Sequence, residues 1–204
     1  MDTTNGKAAL LLVDLQNDFC HPEGTAGKRG KDIHAFHEQM KHMKNLLETA
    51  RKFKVPVIHV ISEHSAWTES PSAIERFGRT NQKRNLSYCE PGSWGAEIHD
   101  DFSPLPGEKV VVKNRYSAFV QTNLELLLRS NGIRHLTIIG AYTNVCIDTT
   151  ARDAFMRDFF VTVPSNCVVS DNEQLHYAAL KLLQGTFAKV VHSVEVKKQW
   201  KGEK

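Results

Sequence analysis

Ala8 to Val13 reads AALLLV, an unbroken apolar run that stops at Asp14. A strand exposed on one face alternates apolar and polar residues. A continuous run belongs to a strand covered on both faces, as in a parallel sheet between two layers of helices. Similar runs recur at Val57–Ile61, Lys109–Val112, His135–Gly140, Phe159–Val163 and Ala188–Val191. Helical patterns separate most of them. Within Ile33–Phe53 the apolar residues fall at 33, 36, 40, 43, 47 and 50, the three-and-four spacing of an amphipathic helix. Thr122–Ser130 carries leucines at 124, 127 and 128 and is closed by Asn131-Gly132. Cys146–Arg157 and residues 173–184 are further helices, and Trp94–Ile98 is a short helical turn. Strands alternating with helices predict an α/β fold, a central parallel six-stranded sheet flanked by helices through right-handed crossovers.

The chain of 204 residues is read as a single domain, residues 1–204, large enough to bury a proper core. Residues 63–93 show no clear period and carry prolines, glycines and charges; a connection of that length is usually a lid or a partner-binding arm. The net charge of +3 is small, and the basic residues are scattered apart from Lys28, Arg29 and Lys31 and a basic C-terminal tail. A nucleic-acid partner requires a concentrated basic face, so none is expected. No apolar run approaches the ~20 residues of a membrane span, and the polar start lacks a signal-peptide core. A cytoplasmic protein with reduced thiols is expected, since the cysteines at 20, 89, 146 and 167 lie far apart without CxxC spacing.

Ligands of parallel α/β sheets bind outside the carboxyl ends of the strands. Asp14 and Lys113 sit at two such ends, and Cys146 opens the helix after the fourth strand. A helix N-terminus and a neighbouring ammonium are expected to lower the thiol's pKa and favour the thiolate. Asp14 is placed to take the thiol proton and return it to a leaving amine. Backbone N–H groups of the turn Ala141–Cys146 are candidate donors to an oxyanion, with Thr143 or Asn144 as the cap. Each residue alone has an ordinary explanation: a turn aspartate, a solvated lysine, a small buried thiol. Their convergence on one rim is what points to chemistry.

Leu11–Phe19 (LLVDLQNDF), Val112–Phe119 (VKNRYSAF) and Gly140–Cys146 (GAYTNVC) closely resemble the isochorismatase-like cysteine hydrolase superfamily. Gly92–Ile98 and Thr150–Ala154 agree with it, in the family's order. The resemblance implies a Rossmann-like three-layer fold and a triad of Asp14, Lys113 and Cys146. It further implies a cis peptide before Tyr142, with the N–H groups of Tyr142 and Cys146 as the oxyanion hole. The activity implied is hydrolysis of a carbon–nitrogen bond through a covalent acyl- or carbamoyl-enzyme.

Nicotinamidases of that family hold a metal through an Asp-x-His pair after the second strand. Here the segment reads Ser62-Glu63-His64-Ser65, so that spacing is broken and no catalytic metal or other cofactor is expected. A cysteine at 146 argues against the vinyl-ether hydrolysis of the true isochorismatases, and the pattern leans toward ureido or carbamoyl substrates. Phe19, Trp94, Tyr116, Phe119 and Tyr142 are candidate pocket walls. Gln16 and Asn144 are candidate partners of a planar amide, and Arg115 meets either a substrate carboxylate or a neighbouring acid. The partners expected are a small amide or ureido substrate and further copies of the chain in a homo-oligomer. A non-catalytic binding protein on the same fold and a thiol-redox protein are the competing readings.

Overall fold

The structure is a computed structural model and describes residues 6–31, 33–79 and 88–203. The apolar run opens it as β1, Lys7–Val13, followed by two single-turn helices, α1 (Asn17–Cys20) and α2 (Thr25–Lys28). The amphipathic segment forms α3, His34–Lys52. It ends where Lys54 takes a left-handed φ of 54°, which turns the chain through Pro56 into β2, Val57–Ser62. α4 (Pro71–Arg79) and two short 3₁₀ turns lead to β3, Lys109–Lys113. There follow α5 (Leu124–Ser130), β4 (Ile133–Ala141), a π-helical turn at Thr143–Ile147, α6 (Asp148–Phe155) and β5 (Phe160–Pro164). β6 (Val168–Val169), α7 (Glu173–Thr186), β7 (Lys189–Val191) and α8 (Ser193–Lys201) complete the order.

Six strands lie in the order β3-β2-β1-β4-β5-β7, and every pairing is parallel. The two-residue β6 pairs with the end of β4, an addition to the expected six. β1 shows why its run is unbroken. Leu10 and Leu12 pack under α3 with Met43, Leu46 and Leu47, whereas Ala9, Leu11 and Val13 face Leu124, Leu128 and Ala151 on the opposite side. Burying each such leucine contributes roughly 1.5–3 kcal/mol, which is why neither face tolerates polar residues.

Three expectations need correction. Residues 63–93 contain α4, a regular helix in a segment read as aperiodic; residues 80–87 of that segment lie outside the described ones. The basic C-terminal tail is largely α8, capped by the His192 side chain on Val194 N–H and stopped at Gly202, φ 73°. Val196 is buried against the α3 layer and Trp200 packs beside it, so two apolar contacts dock an otherwise charged helix. Helix α5 begins at Leu124, two residues after the expected start.

The chain runs β1 to β2 to β3 in one direction across the sheet, then crosses back to place β4 on the far side of β1. That reversal is a topological switch point, and it opens a crevice between the ends of β1 and β4. Register brings the ends level: Val13 lies beside Val60 and Gly140, and Ser62 beside Lys113.

Candidate active site

Asp14 leaves β1 with a φ of 56°, a left-handed conformation that a short polar residue tolerates better than most. Its N–H donates to Val60 O at 2.8 Å, fixing the carboxylate over the end of β2. Next to it, Gly140 of β4 approaches so closely that a Cβ there would lie 2.0 Å from Val13 O. A glycine at that position lets the crevice close around the carboxylate.

Lys113 and Cys146 complete a buried cluster with Asp14. Asp14 is 0%, Lys113 1% and Cys146 6% exposed, so these groups interact with little solvent between them. Lys113 Nζ lies 3.0 Å from Asp14 Oδ2 and donates to Cys146 Sγ at 3.3 Å and to Ser62 Oγ at 2.7 Å. Ser62 Oγ in turn donates to Asp14 Oδ1 at 2.8 Å. The serine thus links ammonium and carboxylate as acceptor and donor at once. Nothing in the sequence patterns pointed to Ser62; the only signal was its place at the end of β2, level with Lys113.

The thiol behaves differently from the sequence expectation. Burial and then the Asp14 carboxylate push Cys146 up to about 12, and Lys113 offsets only part of this. Cys146 also lies inside the π-helical turn rather than at the start of α6, which begins at Asp148. Burial and the facing carboxylate thus favour the protonated thiol, with the carboxylate within hydrogen-bonding reach to receive the proton. Burial alone would pull the Lys113 ammonium down, but Asp14 and Cys146 more than offset it and hold the lysine charged.

The turn carrying Cys146 follows a cis peptide between Ala141 and Tyr142. Tyr142 O accepts from Val145 N at 3.0 Å and Ile147 N at 3.2 Å. Thr143 Oγ1 is hydrogen bonded to His176 Nδ1 at 2.8 Å, and Ser170 Oγ donates to Asn144 Oδ1 at 2.6 Å. The start of α7 and the residues before it thereby clamp the turn from behind.

Above the cluster opens a cleft of about 1040 Å³. Of the residues singled out from sequence, Phe19, Arg115, Tyr116 and Tyr142 line it along with Lys113 and Cys146. Gln16, Trp94, Phe119 and Asn144 are placed elsewhere. Gln16 is fully buried, donating to the carbonyls of Ser62 and Ala96 and accepting from Ser62 N–H, so it ties two loops together. Trp94 is 46% exposed and stacks edge-on against His21. Phe119 packs in the core against Phe159, and Asn144 is held by Ser170.

Arg29, Lys31, His64 and Tyr88 line the cleft without having been read as pocket residues. Phe19 meets Tyr88 and Tyr142 edge-to-face at 4.9 and 5.7 Å, giving the cleft an aromatic wall. Asp18 positions it, accepting from Thr25 N at 2.8 Å and from Cys89 N at 2.6 Å. The cluster Lys28, Arg29, Lys31 and the conspicuous polarity around it were the available signal. Among the described residues there is no group of three or more His, Cys, Asp or Glu able to hold a metal ion, and no helix long and apolar enough to cross a membrane.

Sheet order, three-layer packing and a cleft at the switch point define the class, a Rossmann-like α/β fold. The isochorismatase domain matches residues 8–195, and the chain belongs to the isochorismatase family of hydrolases. It is 33% identical over 168 residues to the ureidoacrylate amidohydrolase RutB of Caulobacter vibrioides, covering 76% of this chain and 73% of that protein. An isochorismatase family protein from Desulfovibrio vulgaris has a similar structure, with a TM-score of 0.81 at 28% identity, covering 96% of this chain and 98% of the other. The N-carbamoylsarcosine amidase of Thermoplasma acidophilum has a TM-score of 0.73 at 28% identity, covering 92% and 96%.

Proposed function

We propose that this hydrolase cleaves a carbon–nitrogen bond in a small amide, ureido or carbamoyl compound, with Cys146 as nucleophile and Asp14 and Lys113 as its catalytic partners. The observation that carries the reading is the buried Lys113 ammonium, in contact with Asp14, Ser62 and Cys146 together at the base of one cleft. Relatives that are amidohydrolases support the choice of bond.

The raised thiol sets the order of events. Asp14 takes the thiol proton as sulfur attacks the carbonyl carbon, so that the thiolate need not exist beforehand. The carbonyl oxygen gains charge, which the backbone N–H groups of Tyr142 and Cys146 receive. Asp14 then delivers the proton to the departing nitrogen as the carbon–nitrogen bond breaks. A thioester or thiocarbamate remains on Cys146. Water attacks it, Asp14 takes one water proton, and the sulfur leaves and is reprotonated. Lys113 stays charged throughout and compensates whichever of carboxylate or thiolate is ionised. No step in this sequence calls for a metal.

Ammonia or amine release from a panel of ureido acids, N-carbamoyl amines, biuret and nicotinamide tests the proposal, with Cys146→Ala alongside and a chelator control. Release that survives chelation and vanishes in the variant, with mass spectrometry trapping an adduct on Cys146, is expected. Turnover that persists in Cys146→Ala would refute the nucleophile.

A further inference from the structure

Helix α7 buries one stripe against the layer that carries the nucleophile. Ala179, Leu180 and Leu183 are buried, and both leucines share a core cluster with Cys146, Ile147 and Ala151. A spacing of three and four puts residue 176 on that stripe, one turn nearer the helix start. The residue there is a histidine where the stripe calls for an apolar side chain. His176 is half-buried, and its Nδ1 lies 2.8 Å from Thr143 Oγ1. Thr143 is fully buried and opens the π-helical turn that holds Cys146 three residues on. Among the described residues no side chain caps that turn at Tyr142. Its other side-chain tether, Ser170 Oγ to Asn144 Oδ1, ends on the same helix start: Ser170 Oγ accepts from Asn172 N–H at 3.3 Å, and Asn172 caps α7 on Leu175 N–H at 2.9 Å. One fixed helix end thus grips two consecutive residues of the turn.

The geometry points to His176 as a positioning residue, whose bond to Thr143 holds the turn so that the N–H groups of Tyr142 and Cys146 face a developing oxyanion. The inference rests on the hydrolase reading for the reaction and for those two donors. Oxyanion donors work only when they lie within hydrogen-bonding distance of the place where the charge develops, so a small drift of the turn weakens them. A buried Thr143 hydroxyl that loses its partner supplies the drive for such a drift, since the turn relaxes to satisfy it elsewhere. His176 does this without touching the reacting atoms. Burial lowers the proton affinity of its imidazole, with Glu173 opposing, so the ring brings no charge toward the sulfur near neutral pH. The thiol's own proton affinity is set by burial, Asp14 and Lys113. Removing the imidazole is therefore expected to spoil oxyanion stabilisation and leave the reactivity of the sulfur alone.

Two electrophiles on the same sulfur separate the two effects. Iodoacetamide is attacked at a saturated carbon and develops no oxyanion. p-Nitrophenyl acetate acylates through one: the sulfur–carbon bond forms, the thiol proton passes to Asp14, and the carbon–oxygen bond breaks with its electron pair leaving on p-nitrophenolate. Both rates are taken over a Cys146→Ala background. In His176→Phe, acylation is expected to fall about 10- to 100-fold, short of the roughly 100- to 1000-fold that loss of a whole oxyanion donor costs, while alkylation moves less than about threefold. Thr143→Val should reproduce this, and the double variant should add little, because both substitutions remove one bond. His176→Asn, whose side-chain amide reaches toward the place of Nδ1, should recover part of the loss. Acylation unmoved in His176→Phe, acylation and alkylation lost together, or no recovery in His176→Asn overturns the positioning role and leaves the hydrolase standing. Should His176→Phe fail to fold, Thr143→Val carries the same comparison, and unmoved acylation there overturns the role. On amide and ureido substrates the variants should lose kcat with KM little changed. Selective loss of acylation in a protein that turns over no amide or ureido compound sustains the positioning role and overturns the hydrolase reading. Alkylation without any acylation in the unmodified protein overturns both.

Discussion

Asp14→Asn is expected to accelerate alkylation of Cys146 while it abolishes turnover, two effects of opposite sign from one substitution. The thiol stands at about 12 against an ordinary value of 9.0, because it is buried and faces a carboxylate. At pH 8 a thiol of that affinity is ionised about once in 10,000 molecules. A unit charge ~4 Å away in an effective dielectric of ~20 is worth ~4 kcal/mol. Each ~1.4 kcal/mol is a tenfold change in proton affinity, so removing the Asp14 charge raises the thiolate fraction by as much as ~1000-fold. A less basic thiolate is a weaker nucleophile, with a Brønsted slope of ~0.4–0.5, which leaves a net gain of roughly 10- to 100-fold in alkylation rate. Lys113→Met should do the reverse and slow it, since the ammonium is the one group that pulls the thiol down. The assay is iodoacetamide labelling at pH 8 with peptide mass mapping. Cys20 and Cys167, buried with raised thiols, serve as internal controls, and circular dichroism confirms that each variant is folded. Labelling of Cys146 that is slower in Asp14→Asn than in the unmodified protein would refute the assignment of the carboxylate as the group holding the proton on sulfur.

Three further outcomes follow from the geometry. Ser62→Ala removes the hydroxyl between Lys113 and Asp14; losing hydrogen bonds to charged groups worth ~1.5–3 kcal/mol should cut kcat roughly 10- to 100-fold, and steady-state kinetics showing no loss would remove the serine from the machinery. Gly140→Ala sets a methyl group 2.0 Å from Val13 O at a φ of 123°, so a loss of more than ~3 kcal/mol in denaturant unfolding is expected, and a near-neutral value would contradict the close β1–β4 approach. Glu108 is held down to about 2: burial alone would raise it, but hydrogen bonds from Arg51, Leu105 N–H and His59 outweigh that. Its folded value lies below its unfolded one, so its contribution is complete above ~4.5 and disappears as the pH falls toward 2. Glu108→Gln should therefore flatten the stability–pH curve between about pH 5 and 2.5, and an unchanged slope there would count against the clasp.

The frame and the three candidate residues were legible because they follow from short-range rules. An unbroken AALLLV run permits only a doubly covered strand, and once strands and helices alternate, Asp14, Lys113 and Cys146 must share one edge. What stayed hidden depends on contacts distant in sequence. Ser62 is an ordinary strand-end serine until β3 brings Lys113 beside it. Gln16, Phe119 and Asn144 carry the right chemistry for a pocket, yet each is turned to a structural partner. Helix α8 went unread because its charged residues outnumber the two apolar ones that dock it. The thiol was misjudged for a related reason: a helix end and a lysine are visible in sequence, whereas complete burial beside a carboxylate is a property of the folded site.

Gln16 has a consequence for how such a scaffold changes over time. Its side chain grips Ser62 at one end of the β2–β3 connection and Ala96 near the other. The described parts of the intervening chain supply His64, Glu69, Arg76 and Tyr88 to the cleft, and they are tied further by Asp18 to the Cys89 N–H and by Asn114 to the Glu63 carbonyl. Lengthening a loop between fixed ends costs little, about 0.6 kcal/mol for each doubling. Between those two anchors the side chains that enter the cleft can be rewritten by replacement or insertion, while the buried carboxylate, ammonium and thiol keep their distances.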